Sequence, residues 1–189
     1  MSTILRWHGG FGLHELLTSE THRDNFSTPG VYLWIDNSRL ARGVCYVGRA
    51  TGAPDLWTRH WQHYTALIAG HYLVPAAARS DARDWGRDYK SSSVAEILFD
   101  EEQYVQLVRD CFAYAKQFSV FLCPLHPSLV KAIERQLLFD LQPFDTKWGT
   151  RSPPEVPVEL KHETPNWMSE HIPEEVRSRV VVHPNGLNK

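Results

Sequence analysis

Long hydrophobic runs are absent from this sequence. No stretch approaches the roughly 20 apolar residues that span a bilayer. The segment Met1–Phe11 has no basic cluster followed by an apolar core, so no secretory leader is read and a cytoplasmic location is expected. Cysteine is scarce. The three present, Cys45, Cys111 and Cys123, lie far apart inside apolar runs, and no CxxC pair occurs. That excludes a zinc-ribbon pattern and a disulfide scaffold and predicts buried free thiols. Ten histidines form no HExxH pair, so a dedicated transition-metal site is not expected. The net charge is only −2, which excludes a strongly basic, non-specific nucleic-acid binder.

What is present fits a folded chain. Its 189 residues are 42% hydrophobic and 22% charged, enough for one domain with an appended tail. The charge is uneven. Between Arg39 and Lys90 eight Lys/Arg face four Asp, whereas Pro154–Glu175 is acidic. An anionic partner is expected to meet the middle of the chain. "ARSDARDWGRDYKSSS" reads as a self-neutralised charged excursion, with Trp85 as its one exposed-aromatic hint.

Residues 1–28 read as a lead-in with a short helix at Leu13–Ser19. Val31–Asp36 and Gly43–Arg49 alternate as strands around an Asp36-Asn37-Ser38 turn, and both faces are apolar, so helices should cover both sides. A helix follows from Pro54 or Asp55 to Ala69. At 100° per residue Trp57, Trp61, Tyr64 and Ile68 share a face and read as core, with Arg59 and His63 side by side at its edge. Val94–Lys116 is helical material, Gln117–Leu125 a third strand, and Ser128–Leu141 a helix that stops before Pro143. From Thr150 four prolines predict an extended segment, then a small helix at Pro173–Val181 and a loose tail.

One residue does not fit its surroundings. On the helix 128–141, Glu134 falls inside the apolar stripe of Val130, Ile133, Leu137 and Leu141. A carboxylate there costs several kcal/mol unless it is paired, protonated or bound to a cation. Two readings stand open: a core-margin glutamate paired with an arginine, or a metal ligand or general acid/base.

Taken in order, these pieces form a pattern. Gly30-Val31-Tyr32 lies on one strand and Tyr46-Val47-Gly48-Arg49 on the next. Arg59 and His63 share a helix, and "AIERQLLFDLQPFDT" carries Glu134. From Thr28 to Lys147 the chain resembles the GIY-YIG nuclease superfamily. There are departures. Thirteen residues separate Tyr32 from Tyr46, more than the family's usual spacing, and Arg49 stands where lysine is common. The family's final asparagine is missing, with Asp145 or Thr146 in its place.

The resemblance implies an α/β protein of the α+β kind, with a small, mostly antiparallel three-stranded sheet flanked by helices. It places a nuclease-like domain over 29–149, with a helical insertion at about 70–116 and a C-terminal extension over 150–189. It implies metal-dependent hydrolysis of phosphodiester bonds in DNA, with RNA the alternative polymer. Glu134 would hold Mg²⁺ or Mn²⁺, a hard ion suited to an oxygen ligand. Arg59 would bind the phosphate, with Arg49 and Asp145 as further substrate contacts. Tyr32 and Tyr46 are the candidate bases, Tyr32 preferred as base and Tyr46 as positioner, with cations nearby favouring the phenolate. His63 would accept the proton or orient a tyrosine. No membrane partner is expected, and a homodimer or protein partner is the expected source of specificity. The alternative is a module that keeps the fold and binds nucleic acid or protein without turnover. Read singly, the tyrosines are hairpin core, and Arg59 and His63 are a solvated helix edge.

Overall fold

Seven residues, Gly30–Asp36, form strand β3, and every one is buried. That explains a run with apolar side chains on both faces. Val31, Leu33 and Ile35 pack to one side, Tyr32 and Trp34 to the other. The computed structural model describes residues 2–37, 44–68, 101–141, 143, 153–165 and 180–183. β3 pairs antiparallel with β4 (Tyr46–Ala50) on one side and β5 (Phe118–Pro124) on the other. The register sets Tyr32 opposite Gly48, Val31 opposite Arg49 and Trp34 opposite Tyr46.

The sheet is wider than the three strands expected. β2 (His8–Gly12) adds antiparallel to β5, giving the order β2-β5-β3-β4. Its sequence, HGGFG, shows no alternation and carries three glycines, so its strand character comes from the β5 backbone rather than from its own side chains. β4 also starts later than expected, at Tyr46 rather than Gly43. Val44 and Cys45 precede the strand, and Cys45 N–H and Sγ both reach the Trp34 carbonyl, at 2.9 and 3.0 Å.

A second, parallel sheet joins β1 (Ser2–Arg6), β6 (Glu159–Pro165) and β7 (Val180–His183) in the order β1-β6-β7. Residues 1–28, expected as a lead-in, thus supply one strand to each sheet, and residues expected as an extension pair with β1. Trp7 links the sheets. Its backbone N–H donates to Glu163 O at 2.9 Å, and its buried indole N–H donates to His162 Nδ1 at 3.1 Å. Of the small helix expected at Pro173–Val181, only Val180 and Val181 are described, and they belong to β7.

Five helices surround the four-stranded sheet among the described residues: α1 (Leu13–Thr18), α2 (Glu20–Phe26), α3 (Leu56–Ile68), α4 (Glu101–Ala115) and α5 (Pro127–Leu141). Most of the expected insertion at 70–116 lies outside the described residues, apart from α4. Asp55 caps α3 by accepting from Thr58 N–H at 2.6 Å. One core sets Val130, Ile133, Leu137 and Leu141 of α5 against Val31, Leu33, Ile35 and Val47, with Leu5 and Leu160 from the parallel sheet. The other sets α1, α3 and α4 against Tyr32, Trp34, Val120 and Leu122. The result is a mixed fold of the α+β kind. No helix among the described residues is long and apolar enough to cross a membrane.

The buried face of α3 differs from the expected one. It holds Leu56, His60, His63, Tyr64 and Leu67. Trp57 is partly buried and packs against the margin of the core, whereas Trp61 is 46% exposed and is not the core residue expected. The two imidazoles find hydrogen-bond partners inside, which lets them occupy the core and rotates the indoles to the rim.

Candidate functional site

Tyr32 is placed by its cross-strand neighbour. Its ring is buried and crosses over β4 at Gly48, where a Cβ would strike the phenol Cζ and hydroxyl. Gly30 has a similar steric reason: a Cβ there would meet the Cys123 carbonyl and a Leu56 methyl. Both glycines of the two tripeptides are therefore close-approach positions.

The Tyr32 hydroxyl lies 2.8 Å from His63 Nε2, and Arg59 and Tyr46 lie close enough to act on its ionisation. The Tyr32 and Tyr46 ring centroids are 5.9 Å apart, and Tyr46 lies 5.9 Å from His63. Four expected site residues are thus brought together: Tyr32, Tyr46, Arg59 and His63. Burial pushes the Tyr32 phenol well above its ordinary value, and Tyr46 adds to this, while Arg59 opposes it. Burial lowers His63 to about 3, with Arg59 and His60 pushing the same way. At neutral pH the pair is a neutral phenol against a neutral imidazole. In the tautomer protonated at Nδ1, His63 Nε2 accepts from the phenol.

His60 belongs to this cluster and was not among the expected residues. It is fully buried. Its Nδ1 lies 2.7 Å from the Leu56 carbonyl oxygen, an acceptor, so Nδ1 carries the proton. Nε2 is then free to accept from the Trp34 indole N–H, at 3.1 Å. The two contacts specify one tautomer, and burial lowers its pKa to about 4. The ring stands edge-on to Tyr32, centroids 4.5 Å apart at 71°. The signal is in the spacing: Leu56, His60, Tyr64 and Leu67 recur at helical intervals, which sets a histidine in an apolar stripe.

Glu134 and Arg49 sit elsewhere. Arg49 pairs with Val31 and so shares the α5 face of the sheet, whereas Tyr32 and Gly48 share the α3 face. Glu134 on α5 forms an ion pair with Arg49. Its side chain is 15% exposed, and burial raises its pKa although Arg49 and Arg135 pull the other way. The misplaced carboxylate is thus paired with an arginine. β4 separates this pair from the phenols, and β4 is the last strand of the four-stranded sheet, so both groups border one edge. Asp145 and Thr146 lie outside the described residues.

The donor chemistry at Glu134 suits a hard divalent cation: one carboxylate, with water and phosphate oxygens completing the shell, is how Mg²⁺ is commonly held. Among the described residues no group of three or more His, Cys, Asp or Glu gathers in one place. Arg49 is the competitor that a cation at Glu134 would have to displace. No family model, curated protein or solved structure matches this chain.

Proposed function

We propose that the chain is a metal-dependent endonuclease of GIY-YIG type that hydrolyses phosphodiester bonds in DNA. The observation that carries this reading is the Tyr32 hydroxyl, held 2.8 Å from His63 Nε2 beside Arg59 and Tyr46 and laid over Gly48. A structural core tyrosine has no need of a buried histidine on its hydroxyl, a guanidinium acting on its charge and a glycine cleared for its ring. In the proposed reaction Tyr32 takes the proton from the attacking water, and neutral His63 accepts the phenol proton in turn. Arg59 binds the phosphate oxygens and favours the phenolate, opposing the effect of burial. Tyr46 positions the phenol. Glu134 would hold Mg²⁺ or Mn²⁺, which supplies neutralisation of the charge that develops on the phosphate. Arg49 would turn from Glu134 to the substrate.

A second reading has its own observation. Arg49 closes on Glu134, and β4 stands between that pair and Tyr32. This arrangement favours a module that keeps the fold and binds nucleic acid or protein without turnover.

Nicking of supercoiled plasmid separates the two. The nuclease cuts with Mg²⁺ or Mn²⁺, and Glu134→Ala abolishes cutting while the circular dichroism spectrum is retained. If the wild type cuts no DNA or RNA form with either ion, the hydrolase reading fails. Salt-dependent DNA binding that survives Glu134→Ala would then favour the second.

A further inference from the structure

The outer flank of α3 carries a feature that hydrolysis does not use. Trp57 and Trp61, one helical turn apart, stack with ring planes 8° from parallel and centroids 5.9 Å apart. The Arg23 guanidinium of α2 lies 5.3 Å from the Trp57 ring centroid. The Trp57 indole N–H finds no acceptor among the described residues, so stacking rather than a hydrogen bond holds this ring. Trp61 is 46% exposed. An indole that is both exposed and locked in place by a second indole is a preorganised flat surface, which a solitary surface tryptophan is not.

The charge on this helix favours one kind of ligand. Across Leu56–Ile68 there is no carboxylate. The outward side chains are Thr58, Arg59, Trp61, Gln62 and Thr65, all neutral or cationic. Arg59 donates to Gln62 Oε1 at 3.2 Å, leading from the Tyr32 cluster onto the exposed face. Around the helix the order runs Arg59, Gln62, Thr58 and Thr65, then Trp61. A polyanion with flat, stackable units can follow that path from the phenol to the indole. A duplex cannot, because its base faces are stacked on one another.

We propose that the Trp57–Trp61 stack is a platform for an unpaired base, and that the polymer engaged is single-stranded or locally unpaired nucleic acid. This rests on the nucleic-acid part of the preceding reading and not on catalysis.

The full chain in EDTA, titrated against fluorescently labelled oligo(dT), oligo(rU) and a blunt duplex of equal length, tests it. The wild type binds the single strands more tightly than the duplex. Trp61→Ala loses about tenfold of that affinity, and Trp61→Phe, which keeps a ring, loses about threefold or less. Thermal melting confirms that both variants fold. Tighter binding of oligo(dT) assigns the platform to DNA, and tighter binding of oligo(rU) to RNA. A wild type that prefers the duplex, or a Trp61→Ala variant that binds single strands as the wild type does, overturns the proposal. Trp61-dependent binding without cutting of any DNA or RNA form in Mg²⁺ or Mn²⁺ leaves the platform standing and removes the hydrolase reading. Cutting with no effect of Trp61→Ala on binding removes the platform alone.

Discussion

Tyr32 and Gly48 face each other across β3 and β4, and the missing side chain at 48 is what gives the phenol its place. Gly48→Ala puts a methyl where the ring and hydroxyl lie. Either the phenol moves off His63 or the strands part. We expect a loss of about 1–3 kcal/mol in stability, read from urea denaturation. The loss of nicking should exceed what the lower folded fraction explains.

Tyr32→Phe keeps the buried ring and removes only the hydroxyl. His63 Nε2 then loses its partner, at a cost of about 1 kcal/mol in stability. If Tyr32 is the base, nicking should fall by about 10²-fold or more with the fold retained. A variant that cuts at the wild-type rate would remove Tyr32 from the mechanism.

His60 and His63 make stability pH-dependent. Burial holds them at about 4 and about 3, below the ordinary 6.5 of the unfolded chain. The unfolded state therefore binds more protons between these values. The histidines' contribution is complete above about pH 6.5 and is lost as the pH falls toward the folded values, on the order of 2 kcal/mol each at pH 5. Urea midpoints measured from pH 7.5 to 5 should fall, and His63→Gln should flatten the fall by about half.

All three thiols should be silent in the folded protein. Cys45, Cys111 and Cys123 are buried, and burial pushes Cys123 up to about 12. The thiolate is the reactive form, so Ellman's reagent should release almost no colour from native protein and react with every cysteine in guanidinium. A fast native reaction would show that one of these strands opens readily.

The hairpin and its tyrosines were legible in the sequence because Val31, Leu33 and Ile35 alternate with Tyr32 and Trp34, a local signal. Glu134 was legible as an intruder in an apolar stripe, and its partner was foreseeable only as some arginine. The side of the sheet on which each residue falls was not legible. It depends on the pairing of Tyr32 with Gly48, and a one-residue slip would reverse it. β2 was hidden by its glycines. The α3 face was misplaced because histidine scores as polar until a buried partner such as Trp34 or Tyr32 is known. The parallel sheet joins residues more than 150 positions apart, a relation that no local pattern carries.

That last pairing has a consequence for synthesis. β1 leaves the ribosome long before its partner strand, which begins at Glu159. At about 5–20 residues per second, β1 and the indole of Trp7 wait roughly ten seconds or more for β6 to emerge. Through that interval the edge of β1 stands open and the Trp7 indole N–H has no His162 to donate to. The nascent chain is thus exposed to misassociation over that interval, and a holdase acting on the segment around β1 would raise the yield of folded protein.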